Sequence, residues 1–394
     1  MSEEINFLYM KQSGYQPLDI ISRSNSFFNK TGVRVNVFFV EYKDRYKFIT
    51  DSSRKKNPDF DVVLVDVIWK ADFIKRGIIE VIPDVLSNKI KAGIKPEIYK
   101  SFEYQNRLYA FPFHADFQLF FTNTLLLRKA GFSNPPSTIE DMVEIARTAK
   151  NMGLIKYPIF DSWDKQETLV CDYIWIVGAF GGGLEDINGK TFINSKECLK
   201  ALKFMVMLLD DGLVNPYSLH SEENFVNEVF LAGDCLFTTN WMYLVELIRK
   251  SSKKINSTRI VSGIPVSRKV IKSSGKKNST ICGFEGLAVM SNSKNKRRAW
   301  EFIDFLASPD FQEKHIDFLP VWEKIWYQKE TLKKDPYIWL KRMQFRGINY
   351  RPADSEYLRV SKIIQDWIYR ALLKEISPEK ALLNAQKEIN SINR

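Results

Sequence analysis

Two nearby stretches decide how this chain reads: Tyr104-Gln-Asn-Arg-Leu-Tyr-Ala-Phe-Pro-Phe-His-Ala-Asp116 and Asn134-Pro-Pro-Ser-Thr-Ile-Glu140. They predict a strand, a polar stop, a second apolar strand from Phe117 to Thr122, a short helix and then a capped one. Pro112 has no N–H to give a ladder, so the first strand should end or turn there. His114 and Asp116 follow at the break. Polar groups placed where a strand leaves its sheet commonly face a ligand crevice. In the second stretch Pro135-Pro136 breaks the chain. Ser137 as cap, with Glu140 three residues on, predicts a capping box. Ile139, Met142, Val143, Ala146 and Ala149 then recur at helical spacing.

Upstream, strand and helix alternate. Ile5 to Met10 is a short apolar strand, Pro17 to Phe28 a helix closed near Gly32, and Val33, Val35, Val37 and Phe39 alternate as a strand. Asp59 to Asp66 is an apolar run of buried parallel type, and Trp69 to Arg76 is a helix stopped by Gly77. This order predicts an α/β fold with a parallel sheet and right-handed crossovers. Downstream, 137 to 250 is helix-rich, Ile281 to Val289 returns to strand character, and Ser308-Pro309 and Ser377-Pro378 start helices.

At 394 residues the chain can bury two sizeable cores. No run approaches the roughly 18 apolar residues of a membrane span. The densest, Ala201 to Leu209, contains Lys203 and reads as a buried helix. Met-Ser-Glu-Glu-Ile at the start has neither a basic nor an apolar leader region, so no signal peptide is expected in this chain. The four cysteines, Cys171, Cys198, Cys235 and Cys282, form no C-x-x-C pair and read as small buried hydrophobes. The net charge of +11 is local: residues 249–300 hold fourteen Lys or Arg against Glu285 alone. Such a segment suits an anionic surface, but no aromatics interleave it to stack bases, so nucleic acid is not the expected partner.

Candidate chemistry is sparse. Gly183 with Gly189-Lys190-Thr191 misses phosphate-loop spacing by one residue and reads as a turn at Asn188-Gly189. The three histidines make no metal or triad pattern, so no metal, cofactor or catalytic residue is assigned. Asp66, His114, Asp116 and Glu285 all fall at predicted strand ends. Carboxylates there suit either glycoside hydrolysis or acceptance of sugar hydroxyls. Trp69, Trp241 and Phe284 each adjoin a polar, turn-like stretch, where an aromatic face can cover a pyranose.

Taken in order, several motifs carry a likeness. They are Asn57-Pro-Asp-Phe-Asp-Val-Val-Leu-Val-Asp66, Arg76-Gly-Ile-Ile-Glu-Val-Ile-Pro83, Asn106-Arg-Leu-Tyr-Ala-Phe-Pro112, Ala179-Phe-Gly-Gly182, Phe230-Leu-Ala-Gly-Asp-Cys-Leu-Phe-Thr-Thr-Asn-Trp241 and Ala299-Trp-Glu-Phe-Ile-Asp-Phe-Leu-Ala-Ser-Pro309. With them the chain resembles the bacterial extracellular solute-binding proteins of ABC importers, family 1, in the maltose-binding-protein-like, sugar-binding branch.

The resemblance implies a two-lobed periplasmic-binding-protein-like fold of type II. Each lobe would be a mostly parallel sheet flanked by helices, with the ligand cleft between them and hinge closure around the ligand. It places one lobe at 1–112 with 283–315 and the other at 113–282 with 316–394. It implies ligand contacts from Gln12 and Tyr15 after the first strand, Asp66 and Trp69, His114 or Asp116, Tyr173 or Trp175, Trp241, the run Gly283-Phe284-Glu285, and Arg351. The expected activity is delivery of a mono- or oligosaccharide to membrane permease subunits, as an extracytoplasmic monomer without chemistry or cofactor. A glycosidase, a receptor for a non-sugar solute and a sensory receptor are the alternatives.

Overall fold

The computed structural model describes residues 3–11, 17–186, 189–314 and 318–392. The chain divides into two compact units: Met1–Asp116 with Gly283–Ile338, and Phe117–Cys282 with Trp339–Arg394. Their two main sheets use strands β1 (Glu4–Met10), β2 (Arg34–Val40), β3 (Val62–Asp66), β4 (Phe111–His114), β5 (Gln118–Asn123), β6 (Phe237–Trp241), β7 (Arg259–Ser262) and β8 (Glu285–Val289).

The first unit carries a five-stranded sheet in the order β2-β1-β3-β8-β4. β1 pairs parallel with β2 and β3, with Phe7 opposite Val37 and Val62. Every residue of β3 is buried, which is why Val-Val-Leu-Val shows no alternation: both faces of the strand are covered. Helix Pro17–Thr31 stops at Gly32, whose φ of 73° only glycine adopts cheaply. β8 returns antiparallel between β3 and β4. Gly286 is needed there, because a Cβ would lie 2.8 Å from Ala110 Cβ and 3.1 Å from the Phe111 carbonyl oxygen.

β4 runs through Pro112 and ends at His114, rather than stopping at the proline. β4 is the sheet edge, where a missing N–H faces outward at little cost, and the ladder slips between Glu285 and Gly286 beside it. Because His114 still pairs with β8, the chain leaves this unit after Asp116, not after residue 112. It leaves again after Ile338 rather than after 315. Trp322 explains this: its ring lies 6.1 Å from Phe111 and its indole N–H donates to the Ala307 carbonyl at 2.7 Å.

The second unit holds the three-stranded sheet β6-β5-β7, and both pairings are antiparallel where a mostly parallel sheet was expected. Among the described residues, parallel pairing in this unit is limited to Thr280–Ile281 with Ile348–Asn349 and to bridges such as Ile159 with Phe237. Its core packs Ile139–Asn151, Glu167–Ala179, Lys196–Asp210, Tyr357–Leu372 and Pro378–Ile392 together. The apolar run around Ala201–Leu209 is indeed helical, burying Ala201, Leu202, Met205 and Leu208. The box at 139–151 is one residue later than expected: Thr138 caps and Asp141 answers it, while Ser137 donates to Asp141 at 2.7 Å. Thr138 wins because its extended backbone lets its hydroxyl reach the Asp141 N–H at 3.1 Å. Around the glycine stretch the Asp186 N–H donates to the Lys190 carbonyl at 2.8 Å, while the turn expected at Asn188-Gly189 falls in part outside the described residues. Residues 187 and 188 lie outside the described residues. All four cysteines are buried.

Candidate functional site

In the first unit the strand order brings three of the predicted residues into one row. Glu285 opposes Asp66 on one side and His114 on the other, so a carboxylate, a carboxylate and an imidazole span β3, β8 and β4 at one end of the sheet. Phe284 and Gly283 precede Glu285. The Phe284 carbonyl accepts from the Val67 N–H at 3.0 Å, and the Gly283 N–H donates to the Asp116 carbonyl at 3.0 Å. The Phe284 side chain is wholly buried.

The row is organised by a residue the sequence did not single out. Arg45, on helix Tyr42–Ser53, is fully buried and pairs with Glu285. Its guanidinium lies 4.8 Å from the Trp69 ring and 5.4 Å from Tyr42, so Arg45 is held by aromatic faces as well as by charge. Tyr42 stacks on Trp69 at 5.6 Å and donates its hydroxyl to Asp66 at 2.9 Å. The other Asp66 oxygen accepts from the Ile68 N–H at 3.1 Å, capping the turn Val67–Trp69. Trp69 is therefore packed within the unit. His114 shares a 2.8 Å hydrogen bond with the Tyr9 hydroxyl and sits 4.5 Å from the rings of Phe113 and Phe318. Burial, helped by the charge on Arg45, pushes the imidazole down to about 3, so it is neutral at ordinary pH. Gln12 and Tyr15 lie outside the described residues.

The second unit gathers the other candidates into three small networks. Trp175 is buried and donates its indole N–H to Asp172 at 3.3 Å. Asp172 also accepts from Trp163 at 3.0 Å and from Gln118 at 3.0 Å. Burial, then the nearby Asp161 charge, lifts Asp172 well above the ordinary carboxyl range. Asp161 accepts from the Thr239 N–H at 2.7 Å and the Thr238 hydroxyl at 3.1 Å, yet burial still raises it to about 6. Tyr173 faces the core and donates to the Cys198 carbonyl at 2.9 Å.

Trp241, at the end of β6, is half-buried and donates its indole N–H to Glu223. Burial raises Glu223 to about 7, opposed by that N–H and reinforced by the charge of Asp164. Asp164 accepts from the Thr168 hydroxyl at 2.9 Å and from Gln166, whose amide also reaches Glu222 at 3.5 Å. The third network centres on Arg351. It is buried, pairs with Glu167 at 3.1 Å and donates to the Cys282 carbonyl at 3.0 Å. Glu167 further accepts from the Tyr357 hydroxyl at 2.6 Å.

Among the described residues Trp241 is the predicted aromatic that is only half-buried, whereas Trp69, Tyr173, Trp175 and Phe284 are enclosed. Arg45, Asp172 and Glu223 escaped the sequence reading. Asp172 left one usable signal, an acid inside the otherwise apolar run Leu169 to Ala179; nothing local marks the other two.

Residues 23–336 match the family described as bacterial extracellular solute-binding protein. A probable ABC transporter-binding protein of Deinococcus radiodurans is 26% identical over 348 residues, covering 86% of this chain and 81% of the relative. A maltotriose-binding protein of Pyrococcus abyssi is 22% identical, over 69% of this chain and 56% of its own. Among solved structures, maltose-bound T. maritima MalE3 superposes with a TM-score of 0.89 at 23% identity, covering 99% of both chains. A solute-binding protein of Thermotoga lettingae bound to alpha-D-tagatose gives 0.88 at 24%, over 99% of this chain and 100% of its own. The fold is that of the two-lobed MalE-type binding proteins, and no helix among the described residues is long and apolar enough to cross a membrane. With the family matched over most of its length, the chain belongs to the bacterial extracellular solute-binding proteins, the extracytoplasmic substrate-binding components of ABC transporters.

Proposed function

We propose that the solute is a carbohydrate, that the protein closes on it and hands it unaltered to the transporter's membrane subunits. The observation carrying this reading is Trp241: a half-buried indole at a strand end whose N–H is held by Glu223. An aromatic face flanked by carboxylate and amide acceptors suits a pyranose, which presents C–H groups on one side and hydroxyls at its rim. Glu223, Asp164 and Gln166 would receive or donate hydroxyl hydrogen bonds around that ring. On the first unit the Asp66–Glu285–His114 row and Asp116 are the candidate polar contacts to a sugar. Arg351 would act indirectly, by holding Glu167 and the Cys282 carbonyl in place. The neighbours that carry maltose and tagatose agree with a sugar as the class.

Isothermal calorimetry against a panel of mono- and oligosaccharides tests the reading. Saturable heat from at least one sugar, with the sugar recovered uncut, is the expected outcome. Heat from an oligopeptide or amino acid and none from any sugar would refute it.

A further inference from the structure

The basic segment has no part in that reading, and the fold gives its first half a position. In the second unit Trp241 opposes Gln118 at one end of the sheet, while Asn123 opposes Arg259 at the other. Helix Tyr243–Lys250, about 12 Å long, separates Trp241 from the turn Lys253–Asn256, which leads through Thr258 into Arg259. The Thr258 carbonyl accepts from the Thr124 N–H at 3.0 Å, at the start of helix Thr124–Lys129. That contact sets the chain just after the Lys253–Asn256 turn beside the start of helix Thr124–Lys129, at the end of the sheet remote from Trp241; the two segments carry Arg128 and Lys129 on one side and Arg249, Lys250, Lys253 and Lys254 on the other. All six are exposed.

Little neutralises them. Arg249 and Lys250 share one carboxylate, Glu246. Arg128, Lys129, Lys253 and Lys254 form no ion pair among the described residues. Asp234 is an exposed acid at this end, in the turn whose Gly233 lies against Arg259 and Asn123. Arg259 itself is buried, donating to the Phe230 carbonyl at 3.0 Å and the Leu231 carbonyl at 3.1 Å. Leu125, on the helix that carries Arg128 and Lys129, and Ile260, next to Arg259, are exposed, at 43% and 38%. No stacking aromatic accompanies them. Lysine and arginine mixed with isolated aliphatic side chains suit a phospholipid headgroup layer better than a soluble polyanion, which offers nothing apolar to cover.

We propose that this pole of the second unit docks on an anionic phospholipid surface. The inference is independent of the solute and uses residues outside the candidate binding site. Flotation of the full chain with phosphatidylcholine vesicles, with and without phosphatidylglycerol, tests it. Binding should require phosphatidylglycerol and disappear in high salt, since exposed charges are screened over a few ångströms there. Each lysine at such a surface contributes about fivefold in partitioning, so Lys253→Gln with Lys254→Gln should lower it about 25-fold. Leu125→Ser should lower it too while leaving the charge unchanged. Unchanged thermal unfolding of the variants separates docking from folding. Equal capture by vesicles lacking phosphatidylglycerol, an unaffected lysine double variant, or capture by a short DNA duplex matching that by vesicles would each overturn the proposal.

Discussion

Glu223→Gln is the most informative single change. Burial holds the Glu223 carboxyl at about 7 against an ordinary 4.5. The folded state therefore binds a proton that the unfolded chain has already released between those values, and folding becomes less favourable as pH rises through that window. The full difference corresponds to about 3 kcal/mol, reduced toward about 2 because the side chain is only half-buried. Glutamine keeps an oxygen for the Trp241 N–H but cannot ionise. The variant should match the parent near pH 4.5 and exceed it by about 2 kcal/mol at pH 8. Urea unfolding across pH 4.5 to 8.5, followed by far-UV circular dichroism to avoid the changed tryptophan environment, measures the gap. A gap that stays constant with pH would refute the assignment of this proton to Glu223. Calorimetry on the same variant reads its second role: sugar affinity should fall even where stability rises, because an anionic acceptor has been lost.

Trp241→Ala should weaken sugar binding by about 1–3 kcal/mol, the scale of an aromatic contact; unaltered affinity with a lowered melting temperature would make Trp241 a packing residue instead. Arg45→Ala leaves Glu285 charged and buried beside Asp66 and His114, and should cost about 3–5 kcal/mol in urea unfolding, whereas a cost below about 1 kcal/mol would show the pair to be dispensable. His114, neutral when folded with its imidazole near 3 rather than 6.5, contributes stability that is present above pH 6.5 and lost as pH falls toward 3; His114→Gln should flatten that part of the acid-unfolding curve, and an unchanged curve would contradict the buried neutral imidazole. Arg351→Ala should lower stability along with affinity, because it strands Glu167; a pure loss of affinity would instead put Arg351 directly on the ligand.

Much of the architecture was legible because it rests on local chemistry. The unbroken Val62–Val65 run announced a strand covered on both faces, and Gly32 and Gly77 closed helices where expected. The misreadings share one cause, a local rule outweighed by a partner distant in the chain. Pro112 ends a strand only if a neighbour needs its N–H, and on an edge beside β8 none does. Ser137 and Thr138 both offer cap hydroxyls, and backbone direction chose between them. The antiparallel sheet of the second unit was illegible because strand direction depends on where connections cross, which periodicity does not record.

The candidate site divides in the same way. Composition and motif order were enough to place acids and aromatics at strand ends and to point to a binding protein. Which of them stay accessible was decided by tertiary packing alone. Trp69 and Trp241 look alike in sequence, yet one is enclosed by Tyr42 and Arg45 and the other is left half-open beside Glu223. Arg45 reaches Glu285 across 240 positions of chain. Burial and charge pairing are properties of neighbours in space, so they shift a carboxyl or enclose an indole in ways that no local stretch of residues encodes.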